Sequence, residues 1–307
     1  ECCPQAVRVL DTEDLHFLRN AREKAFKQNI LATESDLVNE VFKREIASIL
    51  RCDLTLIISE FEFGLLTDTF QINPEILYYL PLFARSEISA KAFSDRRNFI
   101  SIGNFLHEPN WQTVLKLKAL WPEIRKNIPG SELHIYGAYA GEKVSQLNNS
   151  KDGFLIKGRA ENVQSVFSDA RILLAPIPYG AGIKGKLLES MAYGLPNVTT
   201  TVGAEGMQRN GIWNGFITSS DEEFIEKSVL LYNDENQWRK AQNAGSLLIN
   251  EKFTAEDFLP EFSLRLQQIT GNLEAHRRRN FLGQILQHHT LQSTKYMSRW
   301  IEEKNRN

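Results

Sequence analysis

Between about residues 97 and 220, short apolar runs alternate with helix-like segments. The runs are Phe99–Gly103, Glu132–Gly137, Phe154–Gly158, Arg171–Pro176, Pro196–Thr200 and Gly215–Thr218. Helical segments separate them near 109–127, 140–148, 161–169, 184–193 and 221–233. This alternation predicts a parallel sheet with helices on both faces. It also says where to look for chemistry, because such sheets bind ligands beyond the carboxyl ends of their strands. Four of the runs end at or near Gly or Pro, and a loop follows each.

The flanks read differently. Ala6–Asp11, Asp53–Ser59 and Ile76–Leu80 have strand character, and Glu34–Leu50 reads as one long helix. Ser59 and Glu62 have capping-box spacing, which predicts a helix start at Ser59. Pro81 to Arg97 reads as a polar linker. A βαβ unit takes about 30 residues, so two or three strands in the first 95 residues make only part of a lobe. Beyond residue 220 the pattern is helical, Gly271 interrupts it, and 274–305 reads as a polar helix or helix pair. The expected domains are therefore 1–95, 96–250 and 251–307, the last packing back toward the first.

Composition narrows the function classes. Of 307 residues, 36 are Lys or Arg and 38 are Asp or Glu, a net charge of −2 that speaks against bulk binding of nucleic acid. No apolar run approaches the roughly 18–20 residues of a membrane span. Three cysteines (Cys2, Cys3, Cys52) lack disulfide-framework or zinc-site spacing, which fits a reducing, cytoplasmic compartment. The first residue is Glu1 rather than Met, so the expectation is a piece of a longer protein that supplies the rest of the first lobe.

The most informative stretch is Pro176–Pro196, PIPYGAGIKGKLLESMAYGLP. A strand ends at Pro176, a loop carries Gly180, Gly182 and Gly185, and a helix opens with Lys184 and Lys186 and stops at Gly194. A glycine loop before a helix offers backbone N–H groups and a positive dipole end to a phosphate or diphosphate, and the lysines add point charges. Glu189, about one turn on, can accept hydrogen bonds from a sugar hydroxyl. The bland alternative is a surface turn with solvated lysines. Gly180 to Lys186 also satisfies the glycine and lysine positions of a P-loop, but Leu187 stands where Ser or Thr should hold magnesium, so a nucleotide hydrolase fits poorly.

Three segments together, from Ser101 to Pro129, then SELHIYG, then IKGRAENVQSVFSDARILLAPIPYGAGIKGKLLESMAYGLPNVTTTVGAEGM, resemble the donor domain of retaining GT-B glycosyltransferases of family 4, in its Gly-rich subgroup. VLDTEDLHFLRNAR and CDLTLIISEFE resemble the last part of the acceptor lobe. The resemblance spans about residues 6–220. It implies an α/β fold of GT-B type, with two Rossmann-like lobes, the first incomplete, and a helical tail. It implies transfer of a sugar from a UDP- or GDP-sugar to a glycan or lipid-linked acceptor, with retention and with neither metal nor other cofactor. By the same resemblance, Lys184 and Lys186 neutralise the diphosphate and Glu189 holds the ribose. Gly103 and Asn104 line the diphosphate side, Gly158 and Arg159 border the base, and Gly182 and Ile183 face the donor sugar. The family's first glutamate, eight positions before Glu189, falls on Ala181, which leaves the sugar open. Ala181 and the short first lobe also motivate a rival reading, a non-catalytic nucleotide-sugar-binding or scaffold module.

Catalysis in this reading is electrostatic, with Lys186 stabilising the leaving diphosphate. His16 is the candidate catalytic contact from the acceptor lobe, with Asp14 and Arg19 close in sequence, against the plain alternative of a helix surface residue. The acidic run Asp11–Asp14 could be mistaken for a metal motif, but acidic residues at a helix start are favoured by the dipole anyway. His107, His288 and His289 read as structural or packing residues, and Trp111 and Trp121 as core. The run His276–Arg279 could make a peripheral contact at the inner face of a membrane, although such a run more often faces solvent.

Overall fold

In the computed structural model, which describes residues 3–305, the chain opens on a short strand, β1 (Val9–Asp11), and helix α1 (His16–Gln28). The N–H groups that open α1 are satisfied from elsewhere in the chain. Leu15 N donates to Glu62 Oε1, and His16 N and Phe17 N donate to the two carboxylate oxygens of Glu45. The run Asp11–Asp14 precedes the helix, so the dipole role expected of it belongs to Glu45 and Glu62. Two helices, α2 (Glu34–Leu37) and α3 (Glu40–Arg51), replace the single expected one. Asn39 divides them: its Oδ1 accepts the Phe42 N–H at 3.0 Å, an N-cap that starts a new helix.

Strand β2 (Leu54–Ile57), helix α4 (Glu60–Gly64) and strand β3 (Leu77–Tyr79) follow. Ser59 is the N-cap of α4 but makes no side-chain cap bond. The expected capping box does not form, because Glu62 is turned to α1. The three strands make a parallel sheet in the order β1-β2-β3.

The next strands and helices alternate as expected: β4 (Arg97–Ile102), α5 (Glu108–Asn127), β5 (Leu133–Tyr136), α6 (Glu142–Ser145), β6 (Phe154–Gly158), α7 (Val163–Asp169), β7 (Ala170–Ala175), α8 (Gly185–Ala192), β8 (Asn197–Thr200), α9 (Thr201–Ala204), β9 (Gly215–Thr218), α10 (Asp221–Asn233) and α11 (Glu235–Lys252). The expected helix at 140–148 is only the single turn α6. The six strands are all parallel, in the order β6-β5-β4-β7-β8-β9. Phe99, Leu117, Trp121, Leu133, Phe154 and Trp238 belong to the core, all 0–1% exposed. Trp121 also donates its indole N–H to the Asp152 carbonyl, the polar partner a buried indole needs. Trp111 is half-buried.

The described residues divide into two compact units. One takes residues up to Ala21, Leu31–Leu80 and Glu256 onward; the other takes Arg22–Ile30 and Pro81–Ala255. The stretch read as a polar linker is thus part of the second unit. Ala84 N donates to the Phe253 carbonyl and Glu87 N to the Ala192 carbonyl. Arg96 is fully buried, donating to the Lys91 and Phe167 carbonyls with its guanidinium 5.1 Å from the Trp238 ring. Desolvation pushes its pKa down to about 10.

The chain ends in α12 (Ala255–Gly271), α13 (Leu273–Arg279) and α14 (Phe281–Lys304), which from Glu256 onward belong to the first unit. Ile269 and Leu273 pack with Leu54 of β2. The run His276–Arg279 is largely spent on structure. Arg277 donates Nε and Nη2 to the two oxygens of buried Asp53, at 2.8 and 2.9 Å. His276 Nε2 lies 2.7 Å from the Asp53 carbonyl, and Arg279 pairs with Glu75. Arg278 is exposed, with Glu274 3.8 Å away. His288 and His289, expected to pack, are exposed on α14. No helix among the described residues is long and apolar enough to cross a membrane. Cys3 and Cys52 are free thiols, and Cys2 lies outside the described residues.

Candidate functional site

In the second sheet, β4 starts one half, which continues outward to β5 and β6, and β7 starts the other, which continues to β8 and β9. The order reverses between β4 and β7, so the loops leaving those two strands flank the crevice where ligands bind in such sheets. The loop after β4 carries Gly103 and Asn104. The loop after β7 runs from Pro176 through Gly180 and Gly182 to Lys184, the N-cap of α8. Topology therefore brings together two segments that are some 75 residues apart in sequence, and both had been singled out from sequence.

The β7–α8 loop is braced from behind. Lys184 is 9% exposed and donates its ammonium to the Gly182 carbonyl at 2.8 Å, so it closes the loop on itself. Arg22 donates to the Gly180 carbonyl at 2.8 Å and makes two bonds, 2.7 and 2.8 Å, to the Glu205 carboxylate. A planar guanidinium held by a bidentate carboxylate has little freedom left, so the Gly180 carbonyl has a fixed partner. Beneath α8, Ser190 Oγ accepts from Asn197 Nδ2 at 3.0 Å, and Asn214 Nδ2 donates to the Leu195 carbonyl at 2.7 Å. Trp213 Nε1 donates to Asn197 Oδ1. This buried polar layer fixes the helix whose N-terminus faces the crevice.

Lys186 stands on the first turn of α8. Its Nζ donates to Asn110 Oδ1 at 2.6 Å. Desolvation pushes the ammonium pKa down to about 8, against a smaller opposing pull from Glu189. Glu189, at the surface of α8, has its carboxyl raised by partial desolvation, with Lys186 opposing. Glu189 also lines a cavity of about 360 Å³ with Gly185, Leu188, Tyr193 and the 82–87 segment. Ile183 and Gly182 are buried in the loop. Asn104 is exposed; its Oδ1 accepts the Leu106 N–H and its carbonyl accepts Asn110 Nδ2 at 2.9 Å. A Cβ on Gly103 would lie 2.6 Å from Asn110 Cγ and would displace the Asn110 amide. Gly158 and exposed Arg159 sit at the carboxyl end of β6, two strands out from the switch point.

His16 belongs to the first unit. Its Nε2 is 3.1 Å from Asp14 Oδ1, and Asp14 also pairs with Arg19. With Asp11, Arg19, Asn20 and Arg44 it lines a cavity of about 390 Å³ beyond the carboxyl end of β1. Among the described residues, no group of three or more His, Cys, Asp or Glu is placed to hold a metal ion.

Sequence reasoning missed three residues that shape the switch-point site: Asn110, Arg22 and Glu205. Asn110 sits in the first turn of a helix, where asparagine is unremarkable. The partners of Arg22 lie 158 and 183 positions away, and nothing in a single sequence signals such a pairing.

Residues 96–234 match the family model described as Glycosyl transferases group 1, a match that lies within the second unit. Comparison with curated proteins gives no match. Among solved structures, sucrose-phosphate synthase from Thermosynechococcus elongatus is similar at TM-score 0.64 and 15% identity, over 86% of this chain and 68% of that one. TarM gives 0.62 and 17%, over 74% of this chain and 46% of that one. HepE from Anabaena, solved in complex with UDP, gives 0.61 and 11%, over 85% and 79%. At these identities the likeness shows the fold, a GT-B arrangement of parallel α/β sheets with a helical C-terminal region. The chain spans about half the length of TarM and of pneumococcal GtfA.

Proposed function

We propose that the chain transfers a sugar from a nucleoside-diphosphate donor to a glycan or lipid-linked acceptor. The observation that carries this reading is the pairing, at the switch point of a group 1 glycosyltransferase domain, of a braced glycine loop with a partly desolvated lysine. The diphosphate takes the first-turn N–H groups of α8 and the Lys186 ammonium. Glu189 accepts from the ribose hydroxyls. Gly103 and Asn104 border the diphosphate, Gly158 and Arg159 the base, and Gly182 and Ile183 the donor sugar. The UDP named with HepE, and the UDP and GlcNAc named with pneumococcal GtfA, support a UDP-sugar over a GDP-sugar.

As the bond from the anomeric carbon to the diphosphate oxygen breaks, negative charge grows on the leaving group. Preorganised donors aimed at that charge lower the barrier. Lys186, whose ammonium has already lost much of its water, and the helix dipole supply that stabilisation without a metal. His16, on the 390 Å³ cavity of the first unit, is the acceptor-side catalytic candidate. Retention of configuration and a cytoplasmic setting complete the proposal.

The test is a panel of UDP- and GDP-sugars incubated with the chain and with mixed glycan and lipid-linked acceptors, read by mass spectrometry of products. A glycosylated product that disappears in Lys186→Ala supports the proposal. Ala181, at the position of the family's first glutamate, favours one alternative, a binding module. Saturable nucleotide-sugar binding with no product from any acceptor would select that alternative.

A further inference from the structure

Asn110 makes three contacts that converge on the switch point. Its Oδ1 accepts the Lys186 ammonium at 2.6 Å, its Nδ2 donates to the Asn104 carbonyl at 2.9 Å, and its amide carbon packs against Gly103 so closely that any Cβ there would collide. One amide therefore ties the loop after β4 to the charged residue on α8. We infer that Asn110 is the positioning residue of the donor site, fixing where the Lys186 ammonium points. The inference rests on the reading of Lys186 as the diphosphate contact.

A free lysine side chain samples many rotamers and loses that freedom when held. A side-chain carbonyl that already holds the ammonium removes part of that loss before the donor arrives. A neutral acceptor suits the task. A carboxylate at position 110 would hold the lysine more tightly but would repel the diphosphate, whereas an amide oxygen can be exchanged for a phosphate oxygen. The acceptor also favours the charged form of an amine that burial would otherwise discharge. Among the described residues, Glu189 is the charged side chain that opposes the desolvation of Lys186.

Competitive acetylation of the full chain from about pH 6 to pH 10, read residue by residue by peptide mass spectrometry, reports the titration of Lys186 directly. Asn110→Asp, which is nearly isosteric, should move the Lys186 titration up by about one pH unit, and Asn110→Ala should move it down. Asn110→Asp places a carboxylate beside the ammonium and serves as the positive control for the readout. A merely structural asparagine would lower the melting temperature of Asn110→Ala without moving that titration. If Lys186 titrates in Asn110→Ala as in the wild type, the inference is overturned. A separate arm adds UDP to the wild-type chain. Protection of Lys186 from acetylation supports the diphosphate reading. A moved titration without protection sinks that reading alone.

Discussion

At the scale of single residues, the proposed role of Lys186 predicts a pH dependence. Burial holds its ammonium pKa down at about 8, and a bound diphosphate favours the charged form, so binding raises it. Donor affinity should therefore be full below pH 8 and fall about tenfold per pH unit above it, as the lysine must first take up a proton. Calorimetry of UDP binding across that range checks this; an affinity flat to pH 9 would show that Lys186 does not meet the diphosphate. Glu189 is proposed to meet the ribose instead. Glu189→Ala should weaken UDP binding about tenfold, the scale of one hydrogen bond to a charged group, and at about pH 6, where Lys186 stays protonated without it, leave inorganic pyrophosphate binding nearly unchanged. Titrating the variant with both ligands separates ribose recognition from charge.

At the scale of elements, what the sequence could disclose was decided by the range of the interactions. The strands of the second sheet were readable because most are short apolar or β-branched runs bounded by Gly or Pro, β7 (ARILLA) being mostly apolar and β8 (NVTT) resting on Val and Thr. The glycine loop, Lys186 and Glu189 were readable because they lie within one local strand–loop–helix unit. The split of Glu34–Leu50 at Asn39 was missed because the apolar pattern runs on through the break. The Ser59–Glu62 box was expected from spacing and lost to a tertiary contact, since Glu62 satisfies the N-terminus of α1. The tail shows the same limit. Arg277 sits in a run that reads as a solvated or lipid-facing charge patch, but it closes on Asp53 224 positions away. Burial pushes the Asp53 carboxyl up, yet hydrogen bonds from Arg277 and Arg8 outweigh it and hold the pKa at about 2. Arg277→Ala leaves a buried carboxylate half-partnered and should cost about 3 kcal/mol, measured by urea unfolding of the first unit. Because the folded pKa lies below the unfolded value of 3.8, this contribution is complete above about pH 4 and lost as the pH falls toward 2. The wild type should lose more stability over that window than Arg277→Ala does.

At the scale of the whole molecule, the proposed roles fall on different units. The residues proposed for the donor all belong to the second, and His16 with its cavity belongs to the first. Hydrogen exchange with UDP present should slow at residues 103–107 and 180–187 and leave β1, β2 and β3 unchanged; slowing confined to the first unit would reverse the assignment. If the diphosphate of a nucleotide-sugar rests on the loop and lysine at the β4–β7 switch point, isothermal titration of UDP into the wild-type chain and into Lys186→Ala will show it. Saturable one-to-one binding to the wild type is expected, weakened at least about tenfold in the variant by loss of one charge-assisted contact. Equal affinity for the two proteins would contradict that placement.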